Sequence, residues 1–293
     1  MSALCPPEAP ALAPSTFDRL RTMVERRAGL AFGETARSLF RRRLGARLAD
    51  LGLNSFEEYL RQMSALPGEW QRVFEALTTK ETYFFRQDYQ LDAFVFELLP
   101  RIAAASPAGS RLTIWSAGCS TGEETYTLAM LLADSPLNAE RSVRILGTDL
   151  CPSNITAAER GVYRENAFRT TPRSWIERFF RPVEGGMRVA DPLRKMVHFS
   201  VGNLLEPNDL RSVGRVDVIF CRNVFIYLEP AARKQVTAGF FERLVPGGYL
   251  LLGHSESLLN VDTKFQPVRL ESDLVYQRPP LRDQRVAVLG QKS

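Results

Sequence analysis

The chain has 293 residues, of which 45% are hydrophobic and 24% are charged, as is typical of a soluble globular protein. This length predicts about two domains, and the composition excludes a disordered chain, a collagen-like repeat and a coiled-coil rod. The chain has 38 Lys and Arg against 33 Asp and Glu, so its net charge of +5 permits an acidic partner without identifying nucleic acid as that partner.

The supply of metal-binding and nucleophilic side chains is small. The four cysteines form no CxxC pair, and the only histidines are His198 and His254, which argues against a zinc, redox or histidine-based catalytic site. No run of about 18 apolar residues is present, so we expect no membrane span. The N-terminus lacks the basic and apolar regions of a signal peptide. We therefore expect a cytoplasmic protein with reduced thiols.

The first third of the chain has a helical pattern. Residues 1–14 have no periodicity and are interpreted as a disordered leader. Apolar spacing and capping residues then predict four short helices in a small all-helical domain over residues 15–78. Residues 79–105 are interpreted as a linker and a connecting helix.

From residue 106 onwards, strands alternate with helices. This order predicts an α/β domain over residues 106–280 with a doubly wound, mainly parallel sheet. A hairpin is expected near its end, and residues 281–293 are interpreted as a loose tail. The predicted strands are residues 111–115, 143–146, 197–201, 216–221 and 249–253.

The loop after the first strand, GCSTGEE, has the features of a ligand-binding turn. Gly118 and Gly122 allow a close approach of backbone to ligand. Glu123 and Glu124 favour a cationic ligand, and the loop matches neither G-x-G-x-x-G nor the P-loop pattern. The alternative is a structural turn whose acids stabilise a helix N-terminus.

Polar residues also follow the next three strands. Asp149 stands where ligand-binding sheets hold a ribose, although it could instead cap the next helix. Asn203 could contact an adenine edge or stabilise a turn. Arg222 and Asn223 form a polar pair at a strand end, and Tyr227 follows one helical turn later, where simple packing is the alternative.

Two further segments combine polar side chains that could belong to a functional site. Residues 78–86, TTKETYFFR, join the two domains and by composition indicate only interdomain packing with an exposed Arg86. His254, Ser255 and Glu256 contain the letters of a hydrolase triad, but adjacent residues cannot supply its geometry and no G-x-S-x-G elbow is present. A serine hydrolase is therefore rejected.

Together these segments resemble the chemotaxis receptor methyltransferases of the CheR family, from about residue 16 to residue 277. GCSTGEE and FCRNVFIYL at this spacing are the most specific parts. The matching segments are TTKETYFFR, IWSAGCSTGEETYTLAM, GTDL, VGNLLEP, DVIFCRNVFIYL and LVPGGYLLLGHSESL.

The resemblance implies a Rossmann-like methyltransferase sheet that uses S-adenosylmethionine, releases S-adenosylhomocysteine and needs no metal. The implied acceptors are glutamate side chains on the cytoplasmic helices of chemoreceptors, whose methyl esters serve sensory adaptation. No nucleic acid and no membrane insertion are expected. The resemblance further implies a receptor-docking role for residues 15–78 and a small β-subdomain inserted at residues 168–197.

The resemblance also implies roles for individual residues, by their positions in the matching segments. Arg86, Arg222 and Tyr227 match the methyl-transfer centre. Lys80 stands where the family commonly has Asn, a departure that puts its cofactor contact in question. The implied cofactor-binding residues are Lys80, Thr82, Arg86, Glu123, Glu124, Asp149, Asn203, Leu204, Arg222 and Asn223.

Five arginines lie within eleven residues of the second predicted helix. Receptor helices that present glutamates would be steered by such a basic face, so the resemblance favours docking over an ordinary solvated surface. The predicted docking residues are Arg37, Arg41, Arg42, Arg43 and Arg47.

The implied reaction suits a chain that is poor in histidine. A glutamate carboxylate has a reference pKa of about 4.3 and is ionised at neutral pH, so its attack on a methyl sulfonium needs no general base. The alternatives are a methyltransferase for another protein, a nucleic acid or a small molecule, a non-catalytic sensor of the same cofactor, and an NAD-dependent oxidoreductase.

Overall fold

The structure is a computed structural model that describes residues 9–107, 109–261 and 263–281. The first eight residues of the predicted leader and residues 282–293 of the predicted tail lie outside the described residues.

Four helices form the N-terminal part, as the apolar spacing predicts. Ser55 begins the third helix by accepting a hydrogen bond from the Glu58 backbone N–H at 3.1 Å, and Gly29 ends the first helix in the left-handed conformation. The helices pack around fully buried Leu20, Phe40 and Leu44. Their bounds are α1 Pro14–Ala28, α2 Arg37–Asp50, α3 Phe56–Gln62 and α4 Glu69–Leu77.

Nine α- or π-helical segments follow α4 in the described part of the chain. The first three, α5, a π-helical turn over Ala93–Leu98 and α6, run without a break. The α-helical ones are α5 Asp88–Asp92, α6 Leu99–Ala105, α7 Glu123–Asp134, α8 Leu137–Glu140, α9 Pro152–Arg160, α10 Arg173–Phe179, α11 Asp191–Arg194 and α12 Pro230–Arg243.

Seven strands form the main sheet. Five of them are parallel, and a C-terminal antiparallel hairpin closes one edge, so the predicted Rossmann-like α/β sheet is confirmed. Alternate residues of β1 face opposite sides, so Ile114 and Trp115 belong to different apolar cores. In spatial order the strands are β6 Val197–Val201, β2 Val143–Asp149, β1 Leu112–Ala117, β7 Val216–Cys221, β8 Leu244–Leu252, β10 Leu274–Gln277 and β9 Gln266–Arg269.

A separate antiparallel sheet has the order β3-β5-β4, with β3 Val162–Tyr163, β4 Phe180–Val183 and β5 Gly186–Val189. The β4–β5 turn includes Gly185, as the sequence predicts. Strand β3 lies ahead of the predicted range 168–197, because two residues after a helix are too short to produce a strand pattern.

The helical part is attached directly to the sheet domain. The Ala31 N–H donates to the Tyr227 carbonyl at 2.7 Å, and the Glu229 N–H donates to the Gly29 carbonyl at 2.8 Å. Leu30 and Leu228 form an antiparallel bridge between these two bonds. One apolar core therefore continues from the helices onto one face of the main sheet.

Candidate active site

A cavity of about 460 Å³ lies where β1, β2 and β7 end. This is the edge at which open α/β sheets bind ligands, and the volume suits a cofactor-sized molecule. The cavity brings together nine residues that the sequence predicts for the site: Thr82, Arg86, Glu124, Asp149, Asn203, Leu204, Arg222, Asn223 and Tyr227.

The two glutamates at the start of α7 are separated by the fold. Glu124 lines the cavity, whereas Glu123, which the resemblance also implies as a cofactor-binding residue, does not. Glu123 is buried on the other side and accepts a hydrogen bond from the Thr121 hydroxyl at 2.7 Å. Burial raises the pKa of Glu123 to about 7. Adjacent helix positions differ by about 100°, so one cavity cannot take both side chains.

Arg222 holds Glu124 in place. Its Nε donates to Glu124 Oε2 at 2.7 Å, and Ser116 Oγ donates to the other oxygen, Oε1, also at 2.7 Å. Nη1 of Arg222 donates to the Arg86 carbonyl at 2.8 Å and to Gln90 Oε1 at 3.3 Å. Because this buried guanidinium has these protein partners, its first role is to orient Glu124 and the linker.

Gln90 is a part of this site that the sequence did not reveal. It is buried, and its Nε2 donates to the Leu252 carbonyl and to Asp273 Oδ2, both at 2.8 Å. A polar residue on an otherwise ordinary helix has no sequence signature, because its partners lie more than 130 residues away in the chain.

Asp149 is fixed at the end of β2 by three donors. Its Oδ1 accepts from the Cys151 N–H and from Asn154 Nδ2, and its Oδ2 accepts from the Ser120 N–H, all at 2.9 Å. Burial raises the pKa of Asp149, while these three hydrogen bonds act in the opposite direction. The carboxylate therefore organises the turn that follows β2 and also lines the cavity.

Two unsatisfied polar atoms show that the cavity suits a polar ligand. Among the described residues, Ser120 Oγ and Asn154 Oδ1 are buried without a hydrogen-bond partner, and both residues line the cavity beside Asp149. Buried polar atoms are normally paired, so a ligand with hydroxyl groups would fit here. The ribose of S-adenosylmethionine meets this requirement.

Asn203 lines the cavity but is also part of a turn. Its Oδ1 accepts from the Leu205 N–H at 3.0 Å, and its Nδ2 donates to the Arg27 carbonyl at 2.6 Å. The turn alternative is therefore present, and the second bond ties the sheet domain to the end of α1.

The linker contributes Thr82 and Arg86, but Lys80 is directed elsewhere. Lys80 Nζ donates to Ser153 Oγ at 2.9 Å, and the residue does not line the cavity. Its amine lies at the start of α9, and its positive charge acts against the burial that raises the pKa of Asp149, so a role for Lys80 beside the cofactor stays a prediction. Arg86 donates to the Glu81 carbonyl at 3.0 Å while its side chain lines the cavity.

The predicted basic face of α2 is divided between the interior and the surface. Arg41 donates to the Ala9 and Pro10 carbonyls, and Arg43 donates to the Ala76 and Thr78 carbonyls. Arg47 pairs with buried Glu69, with 2.8 Å between Nη2 and Oε2. Arg37 and Arg42 are therefore the exposed members of the set, whereas Arg41, Arg43 and Arg47 are half-buried with protein partners, and docking by this helix stays a prediction.

The helical part also forms one wall of the cavity, which the sequence did not reveal. Leu30 and Phe32 follow α1, and Leu39 and Arg43 lie on α2; all four line the cavity. No local pattern marks the three apolar ones, because an apolar residue that lines a cavity looks like any other core residue, and Arg43 was predicted for docking and not for the cavity.

Within the described ranges, no group of three or more His, Cys, Asp or Glu residues is arranged to hold a metal ion. No helix in this part of the chain has the length and apolar character needed to cross a membrane.

The chain was then compared with known proteins. Residues 80–274 match the model of the CheR methyltransferase SAM-binding domain, and residues 15–78 match that of the CheR methyltransferase all-alpha domain. Chemotaxis protein methyltransferase 2 of Vibrio cholerae is 32% identical over 267 residues, covering 90% of this chain and 92% of the relative. The chemotaxis protein methyltransferase of Salmonella typhimurium is 34% identical, covering 87% and 88%.

A third relative is named for another process. The "Probable biofilm formation methyltransferase WspC" of Pseudomonas aeruginosa is 32% identical, covering 89% of this chain and 61% of the relative. The two family models together account for residues 15–78 and 80–274. The chain therefore belongs to the CheR methyltransferase family and has its S-adenosylmethionine-binding domain.

Proposed function

We propose that this S-adenosylmethionine-dependent methyltransferase forms methyl esters on glutamate side chains of chemoreceptor helices. The observation that carries the proposal is the cavity, in which Glu124, Asp149 and Arg86 lie at the strand ends under a wall of the helical domain. The names of the two chemotaxis relatives support the pathway, and the cytoplasmic helices of the receptor are the proposed partner.

The cofactor would be held by oppositely charged and polar groups. Glu124 would attract the methionine ammonium group, and Asp149 with Ser120 and Asn154 would bind the ribose hydroxyls. When bound, S-adenosylmethionine supplies a sulfonium methyl group that a nucleophile can displace. The product S-adenosylhomocysteine would lack that positive charge at sulfur and leave.

The protein's part in transfer is to position an acceptor that is already charged. Tyr227 is 43% exposed and lines the cavity, so it can contact both the acceptor and the cofactor side. Arg86 lines the same space and can hold one acceptor oxygen by a charge-assisted hydrogen bond. Proximity and orientation supply about 7–11 kcal/mol in well-arranged reactions, and no base is needed because the acceptor carboxylate is already ionised.

Receptor docking would use the exposed side of α2. Leu39 and Arg43 line the cavity, and Arg37 and Arg42 are exposed on the same helix. A receptor helix rich in glutamates would be oriented there by these two charges.

A non-catalytic sensor of the same cofactor is the alternative, and it would bind S-adenosylhomocysteine without transferring a methyl group. A receptor of a surface-behaviour pathway stays as a second acceptor, because the relative WspC is named for biofilm formation. The chemistry would be the same for both acceptors.

The test is transfer of radiolabelled methyl from S-adenosylmethionine to fragments of both receptor classes. Ester formation is expected to release labelled methanol in mild alkali, and acceptors with Gln in place of Glu should take up no label. Arg86→Ala and Tyr227→Phe are expected to lower transfer at least tenfold while the fold is retained. Label that stays bound in alkali, or no transfer to any receptor by a protein that binds S-adenosylhomocysteine, would contradict the proposal.

A further inference from the structure

Glu256 occupies an unusual position beside the cavity. Its Oε2 accepts from the backbone N–H groups of Asn223 at 2.8 Å and Gly253 at 2.7 Å, and its Oε1 accepts from the Ile226 N–H at 3.1 Å. One carboxylate thus joins the end of β8 to both ends of the segment that follows β7. None of the roles assigned above uses this side chain.

The segment that Glu256 holds includes a residue with a positive φ. Asn223 has a φ of +59°, in the left-handed region that residues other than glycine adopt uncommonly, although asparagine adopts it more readily than most. Asn223 and Tyr227 both line the cavity, and Ile226 lies between them in the turn. A relaxed Asn223 would therefore move groups that face the cofactor and the acceptor.

The surrounding packing leaves little space for another arrangement. A Cβ added to Gly253 would lie 2.7 Å from Glu256 Oε2 and 2.8 Å from the Asn223 nitrogen. The carboxylate therefore lies between the ends of two strands, where it can accept hydrogen bonds from the backbone of both segments.

We propose that Glu256 is a positioning residue that holds Asn223 for the cofactor and the Phe225–Tyr227 turn for the acceptor. The second half of this inference rests on the proposed function, whereas the first half concerns cofactor binding alone.

The two oxygens of Glu256 allow the two halves to be separated. In Glu256→Gln, the remaining oxygen can still accept from Asn223 and Gly253, but the NH₂ group then faces the Ile226 N–H, and two donors repel. Glu256→Ala removes all three bonds. Glu256→Gln should therefore impair methyl transfer while it keeps cofactor binding, and Glu256→Ala should impair both cofactor binding and methyl transfer.

The measurements are affinity for S-adenosylhomocysteine by calorimetry, at least 15 °C below the melting temperature of each variant, and the rate of methyl transfer. We expect Glu256→Gln to bind within about threefold of the parent and to transfer at least tenfold more slowly. Glu256→Ala should bind at least tenfold more weakly. Ser255→Ala, in the same turn and outside the cavity lining, is the matched control and should behave as the parent.

A double-mutant cycle identifies the mechanism. Glycine adopts a positive φ without strain, so Glu256→Ala should cost less affinity in an Asn223→Gly background than in the parent. Equal losses in both backgrounds, or parent-like affinity and rate in the Gln and Ala variants, would overturn the inference. Binding needs no acceptor, so it is decided separately from receptor methylation.

Discussion

Two neighbouring glutamates at the start of α7 show how strongly the environment sets the role of a residue. Glu124 is ion-paired with Arg222 and lines the cavity. Glu123 is buried beside Tyr163, whose hydroxyl donates to the Thr121 carbonyl at 2.7 Å. The first is placed to bind a cation, and the second is placed to support the loop.

This contrast predicts that the same substitution weakens cofactor binding strongly at Glu124 and little at Glu123. Glu124→Gln should weaken binding of S-adenosylhomocysteine at least tenfold, because it removes the charge that attracts the ammonium group and leaves Arg222 unpaired in the interior. Glu123→Gln is the matched control and should bind within about threefold of the parent. Calorimetric titration measures both, and a larger loss in the Glu123 variant would reverse the assignment.

Glu123 also predicts a pH dependence of stability. Its pKa rises from an ordinary 4.5 to about 7 on folding, because burial favours the neutral acid. The folded state thus binds the proton more tightly than the unfolded state. The stability that this supplies is complete below about pH 4.5 and is lost as the pH rises to about 7, for a total of about 3 kcal/mol.

The expected result is that Glu123→Gln removes this dependence. Between pH 5 and 7.5 its free energy of unfolding should fall less than that of the parent, by about 2 kcal/mol. Urea unfolding at several pH values gives both curves. Parallel curves would show that Glu123 does not titrate in this interval.

At the scale of elements, α2 has two faces with different tasks. On the inner side, Arg47 pairs with Glu69, which also accepts from the Tyr59 hydroxyl at 2.7 Å. Desolvation by burial raises the pKa of Tyr59, and the hydrogen bond to Glu69 adds to this. This triad joins α2, α3 and α4 inside the domain, so the charge of Arg47 is compensated there.

The outer face predicts a docking effect that depends on salt. Charge reversal at Arg37 and Arg42 should lower kcat/KM for receptor methylation about tenfold at low salt and flatten its salt dependence, while S-adenosylhomocysteine affinity is unchanged. Arg101→Glu, an exposed reversal on α6, is the control and should have little effect. Equal rates in the reversal variant and the parent at low salt would exclude docking on this face.

At the scale of the whole molecule, the helical domain is part of the cofactor cavity. Its apolar core continues onto the sheet, and Gly29 at the end of α1 lies close to Ala232 of α12. A Cβ at Gly29 would lie 2.6 Å from the Ala232 Cβ and 3.0 Å from Leu205 Cδ1. The end of α1 could not then stay in its place against α12.

Gly29→Ala should therefore lower both stability and cofactor affinity. Gly52→Ala is the matched control, because Gly52 has a similar φ of +67° but no atom within 4 Å of the added Cβ. Both variants should lose about 1 kcal/mol from the left-handed backbone, and only Gly29→Ala should lose more and bind S-adenosylhomocysteine more weakly. Melting curves and calorimetry measure these changes, and identical effects at both positions would contradict a shared cavity wall.

Much of the architecture follows from local sequence patterns. The sequence predicts four helices over residues 15–78 and a strand over residues 216–221, and the structure has these four helices and the same strand bounds. Such elements are predictable because burial of one helix face or one strand produces a periodic pattern of apolar residues. The strand order then places residues that follow different strands, such as Asp149 and Arg222, at one edge of the sheet.

The direction in which each side chain points depends on folding. Glu123 and Glu124 are alike in sequence, and so are Arg42 and Arg43, yet one of each pair lines the cavity. Lys80 donates to Ser153 at the start of α9 and does not line the cavity. The local pattern thus specifies the helices, the parallel sheet and the strand-end residues, whereas contacts between distant segments select the charges that face the cofactor and make the helical domain a wall of the site.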